Sequence, residues 1–254
     1  MYAFMTVFGI LLTFLTTALG ASAVFLFKGD VSPKANAVFL GFASGIMLAA
    51  SVWSLLLPAL SQTETYLGRL SFLPVAIGFL FGGAFLALLD KCTVKLRGKT
   101  LNGKLRRLFL AVTLHNIPEG LAVGFAFGAA AMIETAVAYF SALGLAIGIA
   151  VQNFPEGAAI SLPMKNEFQN NKKSFLWGAS SGLVEPIFAT VGYFLATSLK
   201  GLQPWLLAFS AGTMVFVTAH DLIPDSRVSE NFKAGAWGVM LGFVLMMTLD
   251  VALG

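Results

Sequence analysis

Charged residues in this chain are confined to short segments, and between them lie eight long stretches that carry almost no charge. The stretches are residues 1–27, 35–63, 70–89, 108–133, 135–164, 174–199, 201–220 and 234–254. Each is near the ~20 residues that an α-helix needs to cross the hydrocarbon core of a bilayer. The apolar runs are continuous and do not alternate with polar residues, so helices are favoured over a β-barrel.

Composition supports a membrane location for the whole chain. Only 11% of the 254 residues are charged, whereas soluble domains have about 25%. The length leaves no room for a large soluble domain beside the spans, so we expect one transmembrane domain over residues 1–254. We predict an all-α membrane protein of eight transmembrane helices in a 3+2+3 arrangement with inverted repeats. The helices are expected at about 4–27, 36–62, 70–90, 108–130, 135–163, 174–199, 203–222 and 234–253.

Basic residues predict the orientation of the chain in the membrane. If the N-terminus is outside, all but two of the 16 Lys and Arg residues fall in inner loops, the exceptions being Arg69 and Lys200. The positive-inside rule therefore predicts extracytoplasmic termini and a cytoplasmic basic loop at 91–107. Topology accounts for the basic charge, so we expect no nucleic acid partner. A cell membrane location is expected, with a bacterial inner membrane favoured.

Two consecutive apolar stretches contain nearly identical polar hexapeptides, which read HNIPEG from His115 to Gly120 and QNFPEG from Gln152 to Gly157. An acidic residue in the middle of a transmembrane helix costs about 2.5–3.5 kcal/mol on insertion scales, so a function is the default explanation. The two helices cross the membrane in opposite directions. Such an inverted repeat is typical of transporters that bind their substrate near the bilayer midplane.

The spacing within each hexapeptide predicts which side chains share a helix face. At about 100° per residue, Glu119 lies between His115 and Asn116, one turn along the helix. The second hexapeptide repeats this pattern with Glu156, Gln152 and Asn153. If the two helices face each other, His115, Glu119, Gln152 and Glu156 surround one point, and Asn116 and Asn153 join both carboxylates around its neighbour. The spacing thus allows a binuclear metal site bridged by carboxylates.

With these motifs the chain resembles the ZIP (Zrt/Irt-like) family of divalent-metal transporters, in particular its prokaryotic-type members, whose fourth and fifth helices carry HNxPEG-type motifs. The resemblance covers essentially the whole chain and includes the segment Gly182-Leu183-Val184-Glu185-Pro186. It implies alternating access to a metal site. The metal ligands that it implies are His115, Asn116, Glu119, Gln152, Asn153, Glu156 and Glu185.

The sequence departs from the family pattern at two ligand positions and in one loop. Many members have histidine where Gln152 stands and an acid can replace Asn153, and the 91–107 loop here lacks the histidines found in many relatives. Fewer imidazoles weaken a preference for zinc. We therefore expect transport of Zn²⁺ or another divalent transition metal, with cadmium, iron, manganese and cobalt included.

Polar residues outside the hexapeptides predict an exit and an entrance for the metal. The expected cytoplasmic exit consists of Asp90, His220 and Asp221. The expected extracytoplasmic entrance or gate consists of Met47, Ser54, Asp250, Leu145 and Ile149. Ordinary interfacial polarity and plain helix contact remain the alternatives for these two sets.

Two other functions are compatible with buried carboxylates. One is a proton- or ion-coupled carrier of another solute. The other is an intramembrane metallohydrolase, but the segment from His115 to Glu119 lacks a second histidine and has Asn116 where a general base would stand. We therefore expect a protein that is not an enzyme and whose partners are divalent metal ions and the lipid bilayer. A homodimer is also compatible with the sequence.

Overall fold

The computed structural model describes residues 1–26, 32–94, 101–226 and 232–253, and these are helical almost throughout, without a strand. Eight of the described helices are long and apolar enough to cross a membrane. In chain order, the helices are α1 (Tyr2–Ala21), α2 (Pro33–Ala50), α3 (Phe72–Val94), α4 (Leu101–Ile133), α5 (Ala136–Phe168), α6 (Asn171–Ser181 and Val184–Ser198), α7 (Gln203–Val217) and α8 (Phe232–Leu253). The prediction of an all-α, eight-span membrane protein is confirmed.

Short segments extend several of these helices. Three 3₁₀ turns cover Ser22–Phe25, Gly68–Leu70 and Lys200–Leu202. Helix α2 continues through a π-helical turn at Ser51–Leu56 into the helix Leu57–Leu67, and α7 continues through Thr218–Leu222 into Ile223–Ser226. The span that includes α2 therefore runs over Pro33–Thr65.

The interval predicted as a basic loop, 91–107, is helical at both ends. Helix α3 extends to Val94 and α4 begins at Leu101, while residues 95–100 lie outside the described part of the chain. Lys, Arg and Leu are good helix formers, so charged residues end an apolar run without ending the helix. The prediction ended the third helix too early and began the fourth too late, because hydropathy measures the part of a helix that lies in lipid.

The helices pack in four close pairs, which are α1 with α5, α4 with α6, α2 with α8, and α3 with α7. Each pair has a glycine where a Cβ atom would lie 1.9–2.1 Å from a backbone oxygen of the partner helix, at Gly157, Gly124, Gly45 and Gly212 respectively. Small residues at such positions let backbones approach closely in membranes, where association depends on packing. Large apolar side chains such as Leu80, Phe81 and Trp237 remain exposed on the outside, as a lipid-facing surface requires.

The two π-helical turns were not predicted from the sequence. Each is followed, two residues after its end, by a proline, Pro58 in one case and Pro224 in the other. A proline ring clashes with the carbonyl group four residues earlier in an α-helix. In both cases the residue with that carbonyl group lies in the π turn, and the greater width of the π turn leaves room for the proline ring. Such turns occur frequently at functional sites.

Candidate metal site

Three helices supply the side chains of the site. The hexapeptides lie within α4 and α5, and both helices run through Pro118 and Pro155 without a break. Helix α6 is interrupted at Gly182 and Leu183, and Glu185 lies in the first turn of its second half. The N-terminal turn of a helix provides a favourable potential for a carboxylate.

Two short hydrogen bonds connect the three helices. Gln152 Nε2 donates to Glu119 Oε1 at 2.6 Å, which joins α5 to α4. Asn153 Nδ2 donates to Glu185 Oε2 at 2.6 Å, which joins α5 to α6. All four side chains are fully buried. The structure thus brings Glu119 next to Gln152 and Asn153 next to Glu185, each amide donating to a carboxylate.

The remaining residues of the predicted set adjoin these pairs. Asn116 is fully buried and its Nδ2 donates to the Ser181 carbonyl oxygen at 3.0 Å, at the end of the first half of α6. Glu156 is buried, and its carboxyl group and that of Glu185 lie within electrostatic reach of Glu119. The side chain of His115 lies outside the described part of the structure, so its role stays a prediction.

Most of the buried side-chain oxygen atoms without a partner in the described part of the chain belong to the hexapeptides. Seven buried side-chain polar atoms among the described residues have no hydrogen-bond partner, and five of these belong to the hexapeptides. The five are Asn116 Oδ1, Glu119 Oε2, Gln152 Oε1, Asn153 Oδ1 and Glu156 Oε2. Leaving a buried polar atom unpaired costs about 1–3 kcal/mol, so five in one place need an explanation.

The orientation of the three amides explains why the free atoms are all oxygens. The NH₂ groups of Asn116, Gln152 and Asn153 each donate to a protein acceptor, which leaves each carbonyl oxygen free. Amide and carboxylate oxygens accept but do not donate, so the site suits a cation. Among the described side chains, no three His, Cys, Asp or Glu residues could hold a metal ion by themselves.

The predicted cytoplasmic exit is only partly described. His220 and Asp221 lie in the π turn that follows α7, with His220 Nδ1 2.8 Å from Asp221 Oδ1. The exposed His220 ring stacks on Phe216 with their centroids 5.3 Å apart. The side chain of Asp90 lies outside the described part, so the convergence of these three residues stays a prediction.

The predicted entrance residues are buried in two groups. Ser54 donates a hydrogen bond to Asp250 Oδ1, and Asp250 Oδ2 has no partner among the described residues. Ser54 also lines a cavity of about 320 Å³ together with residues of α4 and α5. The other group, Met47, Leu145 and Ile149, is fully buried in the apolar core. Packing of this kind is compatible with a gate and equally with plain helix contact.

Sequence reasoning missed the contributions of α1 and of the α6 break. Thr17 Oγ1 donates to Glu185 Oε1 at 3.0 Å, and Asn153 Nδ2 also donates to the Thr13 carbonyl oxygen at 3.2 Å. Thr13, Thr17 and Gly20 follow one another at helical spacing, which indicates a small polar face on α1. That pattern is the only sequence signal for this contact.

Comparisons with known proteins agree with the geometry. The family model described as "ZIP Zinc transporter" matches residues 106–250. Zinc transporter ZIP11 of Homo sapiens is 35% identical in an alignment that covers 99% of this chain and 98% of that protein. Zinc transporter GufA of Myxococcus xanthus is 35% identical over 94% of each chain. Zinc transporter ZIPB of Bordetella bronchiseptica is 33% identical over 95% of this chain and 79% of that protein.

These relatives are named as transporters, which agrees with the expectation that the chain is not an enzyme. Similarity over nearly the full length of both chains, together with paired hexapeptides on two adjacent buried helices, confirms the resemblance inferred from the sequence. The chain belongs to the ZIP zinc transporter family.

Proposed function

We propose that this protein transports divalent transition-metal ions, Zn²⁺ among them, across the membrane into the cytoplasm through a site between α4 and α5. The observation that carries the proposal is the group of five buried, unpaired oxygens on the two hexapeptides. A dication would satisfy these oxygens together and offset the cost of leaving them unpaired. The proposed ligand set is His115, Asn116, Glu119, Gln152, Asn153, Glu156 and Glu185.

The unpaired atoms of the site favour a metal ion over another solute. A carrier of an organic solute needs hydrogen-bond donors as well as acceptors, but the amide donors here are already bonded to Glu119, Glu185 and the Ser181 carbonyl group. Among the described side chains of the hexapeptides, every buried polar atom without a partner is an oxygen. This arrangement supports metal transport over a proton- or ion-coupled carrier of another solute.

Broad metal selectivity follows from the same atoms. Zinc favours nitrogen and sulfur ligands, whereas oxygen ligands also suit harder cations such as manganese. His115 is the single nitrogen ligand of the proposed set, and the rest are oxygens. We expect zinc, cadmium, iron, manganese and cobalt to be accepted. Glu119 and Glu156 each have one unpaired carboxylate oxygen, and Asn116, Gln152 and Asn153 each have an unpaired amide oxygen. This set of oxygens supports two adjacent metal positions bridged by carboxylates.

An alternating-access mechanism is supported by the symmetry of the helix pairs. If α1–α3 are exchanged with α6–α8 and α4 with α5, the pair α1·α5 maps onto α6·α4 and α2·α8 maps onto α7·α3. The π turns in α2 and α7 correspond under the same exchange. So do two close approaches, Gly157 against Thr17 and Gly120 against Glu185. This pattern supports the inverted 3+2+3 repeat, with one bundle moving relative to the other.

The predicted topology assigns a side of the membrane to each end of the proposed pathway. With both termini extracytoplasmic, Ser54 and Asp250 belong to the entrance, and Asp90, His220 and Asp221 belong to the exit. The unpaired Asp250 Oδ2 gives a metal a first oxygen ligand on its way to the hexapeptides. The proposed location is a cell membrane, with a bacterial inner membrane favoured.

Uptake of radioactive Zn²⁺ and Cd²⁺ into proteoliposomes tests the function. Glu119→Gln and Glu156→Gln keep the shape of the side chain but remove its charge, so we expect uptake to fall by at least 10-fold in each variant. Glu64→Gln is the matched control, because Glu64 is an exposed carboxyl at the end of the second span. Equal uptake by the two site variants and the control would contradict the central site.

A further inference from the structure

Thr17 reaches the hexapeptide site from α1, a helix that carries no part of the motif. Its side chain is fully buried, and its Oγ1 donates to Glu185 Oε1 at 3.0 Å. The other oxygen of that carboxyl group accepts from Asn153 Nδ2. We propose that Thr17 is a positioning residue for the metal, whose hydroxyl group holds the Glu185 carboxylate in the orientation that binds the ion. The inference rests on the proposed function.

Thr13, Thr17 and Asn153 form a hydrogen-bonded cluster with Glu185. The Thr13 carbonyl oxygen accepts from Asn153 Nδ2 at 3.2 Å and from Thr17 Oγ1 at 3.1 Å. Asn153 and Thr17 each also donate to Glu185, at 2.6 and 3.0 Å. Both hydrogens of the Asn153 amide are therefore directed at acceptors in α1 and α6, and its oxygen is the atom left free for a cation.

The Thr17 hydroxyl group has one hydrogen and two acceptors at almost equal distance, 3.0 Å from Glu185 Oε1 and 3.1 Å from the Thr13 carbonyl oxygen. A bond to an ionised carboxylate is the stronger of the two. The hydroxyl group therefore donates to Glu185 while that carboxylate is ionised and holds the metal, and the Thr13 carbonyl oxygen is the weaker acceptor.

This contact differs from the ordinary behaviour of threonine in a membrane helix. Such residues usually donate to a carbonyl group one turn earlier. The neighbouring Thr16 does so, donating to the Leu12 and Thr13 carbonyl oxygens, and no hydrogen bond joins it to the site. Thr17 has such an acceptor in the Thr13 carbonyl oxygen, but its hydroxyl group also reaches Glu185 in α6.

Glycines on both neighbouring helices allow this approach. A Cβ atom at Gly157 in α5 would lie 2.0 Å from the Thr17 carbonyl oxygen, and one at Gly182 would lie 2.8 Å from Thr17 Cβ. Gly157 is the last residue of the second hexapeptide, and Gly182 lies in the break of α6. The hexapeptide glycine therefore serves to bring the Thr17 hydroxyl group to Glu185.

The affinity of the purified protein for Cd²⁺, measured by isothermal titration calorimetry, tests the inference. Thr17→Val keeps the shape of the side chain and removes the hydroxyl group, so Kd is expected to rise about 10–100-fold, as for other groups that orient metal ligands. Thr17→Ser keeps the hydroxyl group and is expected to retain the wild-type affinity. Thr16→Val is the matched control in the same helix, with unchanged Kd. In a Glu185→Gln background, Thr17→Val should add no further loss, because the hydroxyl group acts through that carboxylate.

Equal Kd values for Thr17→Val and Thr16→Val would overturn the inference, and so would an undiminished effect of Thr17→Val in the Glu185→Gln background. If Thr17→Val does not fold, the pair Thr17→Ser and Thr17→Ala makes the same comparison, since the two side chains differ only in the hydroxyl group. Equal affinities in that pair would again overturn it. A wild-type protein that neither binds nor takes up metal contradicts the proposed function itself, whereas normal metal binding in every Thr17 variant contradicts only the role of Thr17.

Discussion

Replacing Gly157 with alanine separates α1 from α5 and tests whether this contact supports both the fold and the site. The added Cβ atom would lie 2.0 Å from the Thr17 carbonyl oxygen and 2.8 Å from the Ala21 backbone nitrogen. A carbon–oxygen contact needs about 3.3 Å, so the two backbones must move apart by roughly 1.3 Å. Overpacking of this kind costs about 1–3 kcal/mol. At about 2–4 °C per kcal/mol for a chain near this size, Tm should fall by about 2–12 °C.

The hydrogen bond from Asn153 Nδ2 to the Thr13 carbonyl oxygen is already 3.2 Å long in the unmodified protein. The same displacement therefore stretches it beyond bonding distance. Metal binding should therefore weaken together with stability. Thermal unfolding in detergent, with and without Cd²⁺, measures both effects. Gly201→Ala is the control, since a Cβ atom there would meet nothing within 4 Å. Equal Tm values for the two variants, with equal stabilisation by Cd²⁺, would refute the packing argument.

Three further predictions concern the chemistry of the site and its entrance. Gln152→His adds an imidazole ligand and should raise the preference for Zn²⁺ over Mn²⁺ in competitive uptake; an unchanged ratio would contradict Gln152 as a ligand. Cd²⁺ affinity should fall as pH decreases from 7 to 5, because the metal binds ionised carboxylates and protons compete for them. The fall should be shallower in the double variant Glu119→Gln, Glu156→Gln. Equal dependence of affinity on pH in the wild type and the double variant would exclude these acids as ligands. Ser54→Ala removes the hydrogen-bond donor of the buried Asp250 carboxyl group. Uptake should then need a higher metal concentration, while the Kd of the central site stays unchanged. A changed Kd of the central site would argue against a separate entrance.

The spanning helices and the hexapeptides were predictable because both follow from the free energy of placing each residue type in lipid. Long apolar runs must form helices in lipid, so eight were expected and eight are described. The acids of the hexapeptides are conspicuous because a charge within an apolar run is costly. Spacing alone also placed Glu119 between His115 and Asn116, within reach of the facing helix, where Gln152 bonds to it.

The partners from α1 and α6 were not predictable because they depend on which helices pack beside the hexapeptides. The sequence places Thr17 far from Glu185, and only the packing of Gly157 and Gly182 around Thr17 brings the two side chains together. Amide orientation is likewise a tertiary effect, since the Ser181 carbonyl group that accepts from Asn116 is free only because α6 breaks at the next residue.

The most direct test of a metal site between α4 and α5 is anomalous scattering from a crystal grown with Cd²⁺. We predict anomalous density within about 2.5 Å of a carboxylate oxygen of Glu119 or Glu156, with at least one amide oxygen of Asn116, Gln152 or Asn153 in the same coordination shell. Ordered Cd²⁺ found elsewhere in the protein, with none at the two hexapeptides, would contradict it.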